Sequence, residues 1–122
     1  MVQLNTTQQG RIAEDAACRY LQQKGLRLLE KNFRSPAGEI DLIMKDGDII
    51  VFIEVRYRSS NQVTSAQETI DYRKCRRIIK AGNHYLQKHR LCNTALCRFD
   101  VVVLLQGQNA DAIEWIRNAF ET

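Results

Sequence analysis

No apolar run in this sequence approaches the roughly 20 residues that a bilayer-spanning helix needs. Its start, MVQLNTTQQGRIAED, lacks the charged beginning and apolar stretch of a secretion signal. A cytoplasmic chain with no membrane partner is therefore expected. Proline occurs once in 122 residues, and 44% of the chain is hydrophobic against 26% charged, a composition that excludes a disordered segment-type protein. The four cysteines, Cys18, Cys75, Cys92 and Cys97, form no C-x-x-C pair, and His84 and His89 stand at no zinc spacing from them. That excludes a recognisable zinc finger and, in a signal-free chain, favours reduced thiols over disulfides. Repeats and low-complexity stretches are absent as well, and the length suits one domain, residues 1–122.

What is present is an uneven charge. The net charge is +4, yet the segment Gln67 to Arg90 alone carries seven basic residues (Arg73, Lys74, Arg76, Arg77, Lys80, Lys88, Arg90) against Glu68 and Asp71. The remainder, with 11 basic and 12 acidic residues, is close to neutral. Clustering of this kind fits a polyanion partner, and it equally fits a solvated helix face.

Hydrophobic periodicity gives the elements. Residues Thr7 to Lys24 form a helix with Ile12, Ala16 and Tyr20, flanked by Ala13 and Ala17, as its apolar stripe; Thr6 or Thr7 caps its start and Gly25 ends it. Leu26 to Phe33 is a short strand, and Ser35-Pro36-Ala37-Gly38 a turn. Glu39 to Lys45 and Ile49 to Arg58 are strands joined by Asp46-Gly47-Asp48, a tight-turn sequence. Ser59 to Thr64 reads as a loop, and Gln67 to Arg90 as a second helix that buries Tyr72, Cys75, Ile79, Gly82 and Leu86. Its basic residues Arg73, Arg76, Arg77 and Lys80 point away from that stripe, while Lys74 sits at its border. Arg98 to Leu105 is a continuous apolar strand of the doubly buried type. Ala112 to Ile116 forms a last strand, with Asn118-Ala119-Phe120 as a C-terminal turn. The order is α-β-β-β-α-β plus that final strand: an α/β fold with helices packed on a mixed sheet.

The hairpin holds an anomaly: Glu39, Asp41 and Glu54 interrupt otherwise apolar strands, and buried carboxylates are costly unless paired. With Gly47 and Asp48 as the central turn residues, Asp41 lies opposite Glu54 and Glu39 opposite Arg56, all four on one face. Ile40, Leu42, Ile53 and Val55 then take the other face. Carboxylates directly opposite repel, and a hard divalent cation between Asp41 and Glu54 would resolve the conflict. A plain Glu39–Arg56 ion pair beside water-facing Asp41 and Glu54 satisfies the same pattern.

Asp41, twelve residues, and then Glu54-Val55-Arg56 resembles the PD-(D/E)xK nuclease signature. The fuller set of words comprises Gly10-x3-Glu14, Lys31-Asn32, Gly38-Glu39-Ile40-Asp41-Leu42-Ile43, Phe52 to Arg58, Arg98-Phe99-Asp100 and Asn118-Ala119-Phe120. Across nearly the whole chain these are similar to the YraN-like family of small bacterial proteins, placed by fold near the archaeal Holliday-junction resolvases. The resemblance implies a restriction-endonuclease-like αβββαβ core, and a Mg²⁺- or Mn²⁺-dependent endonuclease acting on branched or structured DNA. Asp41 and Glu54 would be the metal ligands. Glu39 would be an auxiliary acid, and Glu14 the acidic position of the first helix. Arg58, Arg73, Arg76, Arg77 and Lys80 would track the nucleic acid, DNA rather than RNA, with a homodimer cutting both strands. A non-catalytic nucleic-acid-binding module of the same fold is the alternative.

Two departures stand out. Arg56 occupies the signature lysine position, and arginine does not lose its proton near neutral pH; activation would fall to the metal ion or to Lys74. Ile40, not proline, precedes Asp41.

Overall fold

The structure, a computed structural model, describes residues 6–59, 71–106 and 112–121. Helix α1 (Thr6–Gln23) leads into three strands, β1 (Arg27–Ser35), β2 (Gly38–Asp46) and β3 (Ile49–Ser59). Helix α2 (Tyr72–Lys88) and strands β4 (Leu96–Gln106) and β5 (Ile113–Phe120) complete the order. All five strands lie in one sheet in sequence order. The first three form an antiparallel meander, β3 and β4 run parallel, and β5 returns antiparallel to β4. The αβββαβ order expected from the sequence is therefore present, extended by an antiparallel edge strand.

Alternation along β3 divides the core. Val51 and Ile53 face α1, packing with Ala13, Ala17 and Leu21. Ile50 and Phe52 face α2, packing with Ile78, Ala81 and Tyr85. The sheet is thus apolar on both faces, as a central strand rich in Ile and Val requires. Gly82 allows α2 to approach closely, because a Cβ there would stand 3.2 Å from the Phe52 ring.

The helices are rotated from the expected stripes. On α1 the buried line is Ala13, Ala17, Cys18 and Leu21, while Ile12 is exposed. On α2 the buried residues are Ile78, Ala81, Gly82, Tyr85 and Leu86, whereas Tyr72 is 72% exposed and Cys75 and Ile79 are half-buried. Tyr72 is the first residue of the helix, where the Asp71 cap lies outside the packed interface, and its ring meets Arg76 instead of the core. The helical part of the expected Gln67–Arg90 segment starts at Tyr72; residues 67–70, and 60–64 of the expected loop, lie outside the described residues.

At the C-terminus, Asn118-Ala119-Phe120 is not a turn but the end of β5. The reason is Asp100, fully buried between the apolar Phe99 and Val101 of β4. Its carboxylate accepts from Arg98 Nε at 3.1 Å, from Trp115 Nε1 at 2.9 Å and from the Asn118 backbone N–H at 2.9 Å. Asn118 adopts φ 51°, and the β4–β5 register shifts between Phe99 and Val101. Asparagine tolerates the left-handed region better than most residues. Phe120 then stacks on Phe99 with ring centroids 5.1 Å apart. Arg98 also reaches Asp46 at 3.0 Å, tying this network to the β2–β3 hairpin.

Among the described residues no helix is long and apolar enough to cross a membrane. Asp100→Ala takes the acceptor from Arg98 Nε and from the part-buried Trp115 and Asn118 bonds, while Arg98 keeps Asp46, so about 3 kcal/mol of stability should be lost. Trp115→Phe, which removes one donor, should cost about 1 kcal/mol. Urea unfolding of both variants checks the ratio.

Candidate functional site

The β2–β3 hairpin forms in the expected register, from Asp46↔Ile49 to Leu42↔Ile53. There the ladder ends. The next step would set Asp41 opposite Glu54, and the strands separate instead. Into the gap turns the Asp41 carboxylate, which accepts from the Val55 backbone N–H at 2.8 Å. A side chain thus satisfies a main-chain donor that the departing strand no longer reaches. The alternation of β2 changes with it. Ile40 packs with Phe33 in the α2-side cluster, while Leu42 belongs to the α1 side, so the expected shared face of Ile40 and Leu42 does not hold. On the neighbouring strand Asn32 takes φ 53°. The irregularity therefore crosses both strands at one level.

Glu54 is 4% exposed, on the α2 side of β3. Lys74 Nζ lies 2.6 Å from its Oε1, and Arg56 Nε 3.5 Å. Two local features aim that lysine. Asp71 caps α2 by accepting from the Lys74 backbone N–H at 2.8 Å, which fixes the first turn. Gly38 allows the helix to approach β2, since a Cβ there would stand 3.3 Å from the Arg77 Cβ. The expected Glu39–Arg56 pair is absent: Arg56 turns along its own strand to Glu54, and Glu39 faces Arg34 on β1 at 4.0 Å. The strand separation that admits Asp41 also carries Glu39 away from β3.

Glu14 arrives from α1 and joins the same group. With its amide nitrogen turned toward the acids, Asn32 donates to Glu14 Oε1 at 3.2 Å and to Glu39 Oε1 at 3.1 Å. Glu14 is also hydrogen-bonded to Asp41. Burial pushes the Glu14 carboxyl up, and the nearby Glu39 charge adds to the rise. For Asp41, burial first and the Glu54 charge second push the carboxyl up to about 8, against the lowering effect of the Val55 N–H. Asp41 near neutral pH is therefore a protonated acid that shares its proton with carboxylate neighbours. Four acids meet here with too little positive charge among them.

These residues border a cleft of about 290 Å³, lined by Gly38, Glu39, Asp41, Glu54, Lys74, Arg77 and Ile78. Carboxylate oxygens are the donor type that Mg²⁺ and Mn²⁺ prefer. Among the described residues no group of three or more His, Cys, Asp or Glu side chains is arranged as a ready metal cage. Mg²⁺ commonly takes only one or two carboxylates and completes its shell with water and phosphate. The Asp41–Glu54 pair fits that mode, and Lys74 stands on Glu54 as a competing cation.

Of the expected nucleic-acid residues, Arg77 forms a wall of the cleft. Arg73, Arg76 and Lys80 are exposed on α2. Arg76 is held locally, donating to the Tyr72 hydroxyl at 2.9 Å and stacking over its ring. Arg58 is half-buried on β3. The structure therefore gathers Glu14, Glu39, Asp41, Glu54, Arg56 and Lys74, with Arg77 at the edge, and leaves Arg73 and Lys80 as a flanking surface. Asn32 had no assigned role in the sequence, where it was one word of a resemblance. Its signal was a polar residue at a strand position facing two acids.

A mixed α/β domain of restriction-endonuclease-like order, with a carboxylate cleft at the point where two strands part, is the class defined by this geometry. The chain belongs to the YraN-like family, described as "Uncharacterised protein family UPF0102", whose model matches residues 13–104. It is 54% identical over 110 residues to a UPF0102 protein of Coxiella burnetii (strain CbuK_Q154), covering 89% of this chain and 88% of the relative. Identity is 47% over 113 residues to a UPF0102 protein of Stutzerimonas stutzeri, covering 93% and 94%. It is 45% over 123 residues to one of Pseudomonas fluorescens, covering both chains fully. The matched span contains every acid of the cleft.

Because the folded pKa of Asp41 lies above its ordinary 3.8, the native state holds a proton that the unfolded state releases. The stabilising effect of that proton is complete below pH 3.8 and is lost as pH rises toward about 8. Asp41→Asn keeps an acceptor for Val55 and has no such proton to lose. In chelator-treated buffer it should gain stability over wild type progressively as pH rises from 4 to 8. Urea unfolding at several pH values measures this; a constant difference would contradict it.

Proposed function

We propose that the chain is a Mg²⁺- or Mn²⁺-dependent nuclease that hydrolyses phosphodiesters in DNA, branched or otherwise structured. The observation that carries this reading is the charge-deficient group of Asp41 and Glu54, with Glu14 beside Asp41, at a cleft also lined by Lys74 and Arg77. Asp41 and Glu54 would hold the ion, which when bound supplies positive charge at a phosphodiester and makes a neighbouring water more acidic. Binding it would remove the proton from Asp41, the acid with most to gain from a nearby cation.

The protein's own groups have separable tasks. Arg56 keeps its proton and serves as fixed charge beside Glu54. Lys74 brings to Glu54, from the helix, the amine that the family signature places two residues after that acid on the strand. Arg77 faces an incoming phosphate across the cleft, and Arg73 and Lys80 extend the positive surface along α2 for backbone contacts. Glu14 and Glu39, joined through Asn32, hold the acid side of the cleft in place. Cutting both strands of a junction would require a homodimer.

A second reading is favoured by one contact. Lys74 at 2.6 Å already satisfies Glu54 without a metal ion, and a closed pair of this kind suits a nucleic-acid-binding module with no turnover.

Labelled four-way junctions, duplexes and single strands, with Mn²⁺ or chelator, separate the two. The nuclease reading expects metal-dependent cutting that falls at least 100-fold in Glu54→Gln and Asp41→Asn, with binding retained. Replacing Arg73, Arg77 and Lys80 by Gln should weaken binding in chelator and lower the log K against log salt slope by about 2 to 3. Salt-sensitive binding with no cutting of any substrate selects the binding module. Absence of binding at low salt contradicts both.

A further inference from the structure

A second cavity, of about 550 Å³, opens under the opposite end of α2 from the carboxylate cleft. Its volume lies in the range, roughly 300–1,000 Å³, of small-molecule sites. Ile50, Leu91 and Ala95, with the Tyr85 ring, give it an apolar part among otherwise polar lining. His89, which also lines it, lies against the Tyr85 ring, with centroids 4.3 Å apart. The rim carries Arg27 and Lys45.

That pair of cations is the informative feature. Arg27 and Lys45 are direct cross-strand partners in the β1–β2 ladder, an arrangement in which like charges destabilise a sheet. Among the described residues neither is held in an ion pair. The nearest acid in sequence, Asp46, is bound to Arg98 at 3.0 Å. Asp48 is the single acid on the described lining, against Arg27 and Lys45. A pair that costs the fold energy and borders a hollow with both polar and apolar lining is suited to an anion that brings its own flat or apolar part.

We propose that this cavity binds a phosphomonoester attached to a nucleoside. Arg27 and Lys45 hold the phosphate, and the base lies on the apolar part of the lining beside His89. Free nucleotide and the phosphorylated end of a nucleic-acid strand present the same chemistry. The site does not depend on the carboxylate cleft or on a bound metal.

The test is titration of AMP into the full chain in chelator buffer, followed by amide chemical shifts. Saturating shifts at Lys45, His89, Thr94 and Ala95 are expected, with adenosine alone and inorganic phosphate alone each binding roughly tenfold more weakly. Arg27→Gln and Lys45→Gln, singly and together, should keep the native spectrum and weaken AMP binding, by about tenfold in the double variant. Asp41→Asn should bind AMP as wild type does, which separates this site from any failure of the nuclease reading. A short 5′-phosphorylated oligonucleotide distinguishes the sources. Tighter binding than AMP at the same residues, lost in the 5′-hydroxyl form, identifies a strand end; AMP binding without it identifies free nucleotide. The proposal is overturned if about 5 mM AMP shifts none of these residues, if the shifts fall only around Lys74 and Arg77, or if the charge variants bind AMP unchanged.

Discussion

A glutamate that is 4% exposed, in the middle of a sheet, sets the terms for everything near it. An isolated buried carboxylate would cost several kcal/mol, and Glu54 is relieved by Lys74 and Arg56. Lys74 reaches it because α2 begins where Asp71 caps it and lies close to β2 where Gly38 has no side chain. The second helix is therefore registered on the sheet by a charge as well as by its apolar face. The same registration sets Arg77 at the cleft and turns Arg73 and Lys80 to the surface. One ion pair positions both the chemistry-bearing groups and the surface that would meet a polyanion.

Asp100 shows what a buried acid looks like when its task is structural. On the strand beside Glu54 it collects Arg98, Trp115 and the Asn118 N–H, three donors on one carboxylate. Asp41 accepts from one backbone donor, the Val55 N–H, and has Glu54 and Glu14 beside it, so its proton stays on. A fold that fully satisfies one acid and leaves another short of positive charge, two strands away, separates a brace from a candidate reactive centre. This contrast favours the cleft as the working part of the molecule.

Much of this was legible in the sequence. Strand alternation and the Asp46-Gly47-Asp48 turn were enough for the hairpin register, because a side-chain period of two leaves little freedom once one face is buried. The border position of Lys74 on the helix pattern anticipated its reach to the sheet. The failures are as physical. Stripe assignments on both helices slipped because small residues, Ala13, Ala17, Ala81 and Gly82, carry the close contacts while larger ones such as Ile12 and Tyr72 stay outside. The end of the ladder at Leu42 and Ile53 follows from a side chain replacing a main-chain bond, which no periodicity encodes. Asp100 lies inside a strand whose pattern is apolar from Phe99 to Leu105 apart from that acid, and the Asn118-Ala119-Phe120 pattern predicts a turn where β5 continues. An acid within such a strand was itself the available signal.

On the proposed reading, the Asp41–Glu54 pair is short of positive charge beyond what Lys74 and Arg56 supply. The most direct test is calorimetric titration of Mn²⁺ into wild-type protein at pH 7, in two buffers of different ionisation enthalpy. The account predicts saturable binding with release of close to one proton per ion, the proton of Asp41, and loss of both in Asp41→Asn. Absence of binding, or binding with no proton release that persists in the variant, would contradict it and leave Lys74 and Arg56 as sufficient positive charge for the cleft.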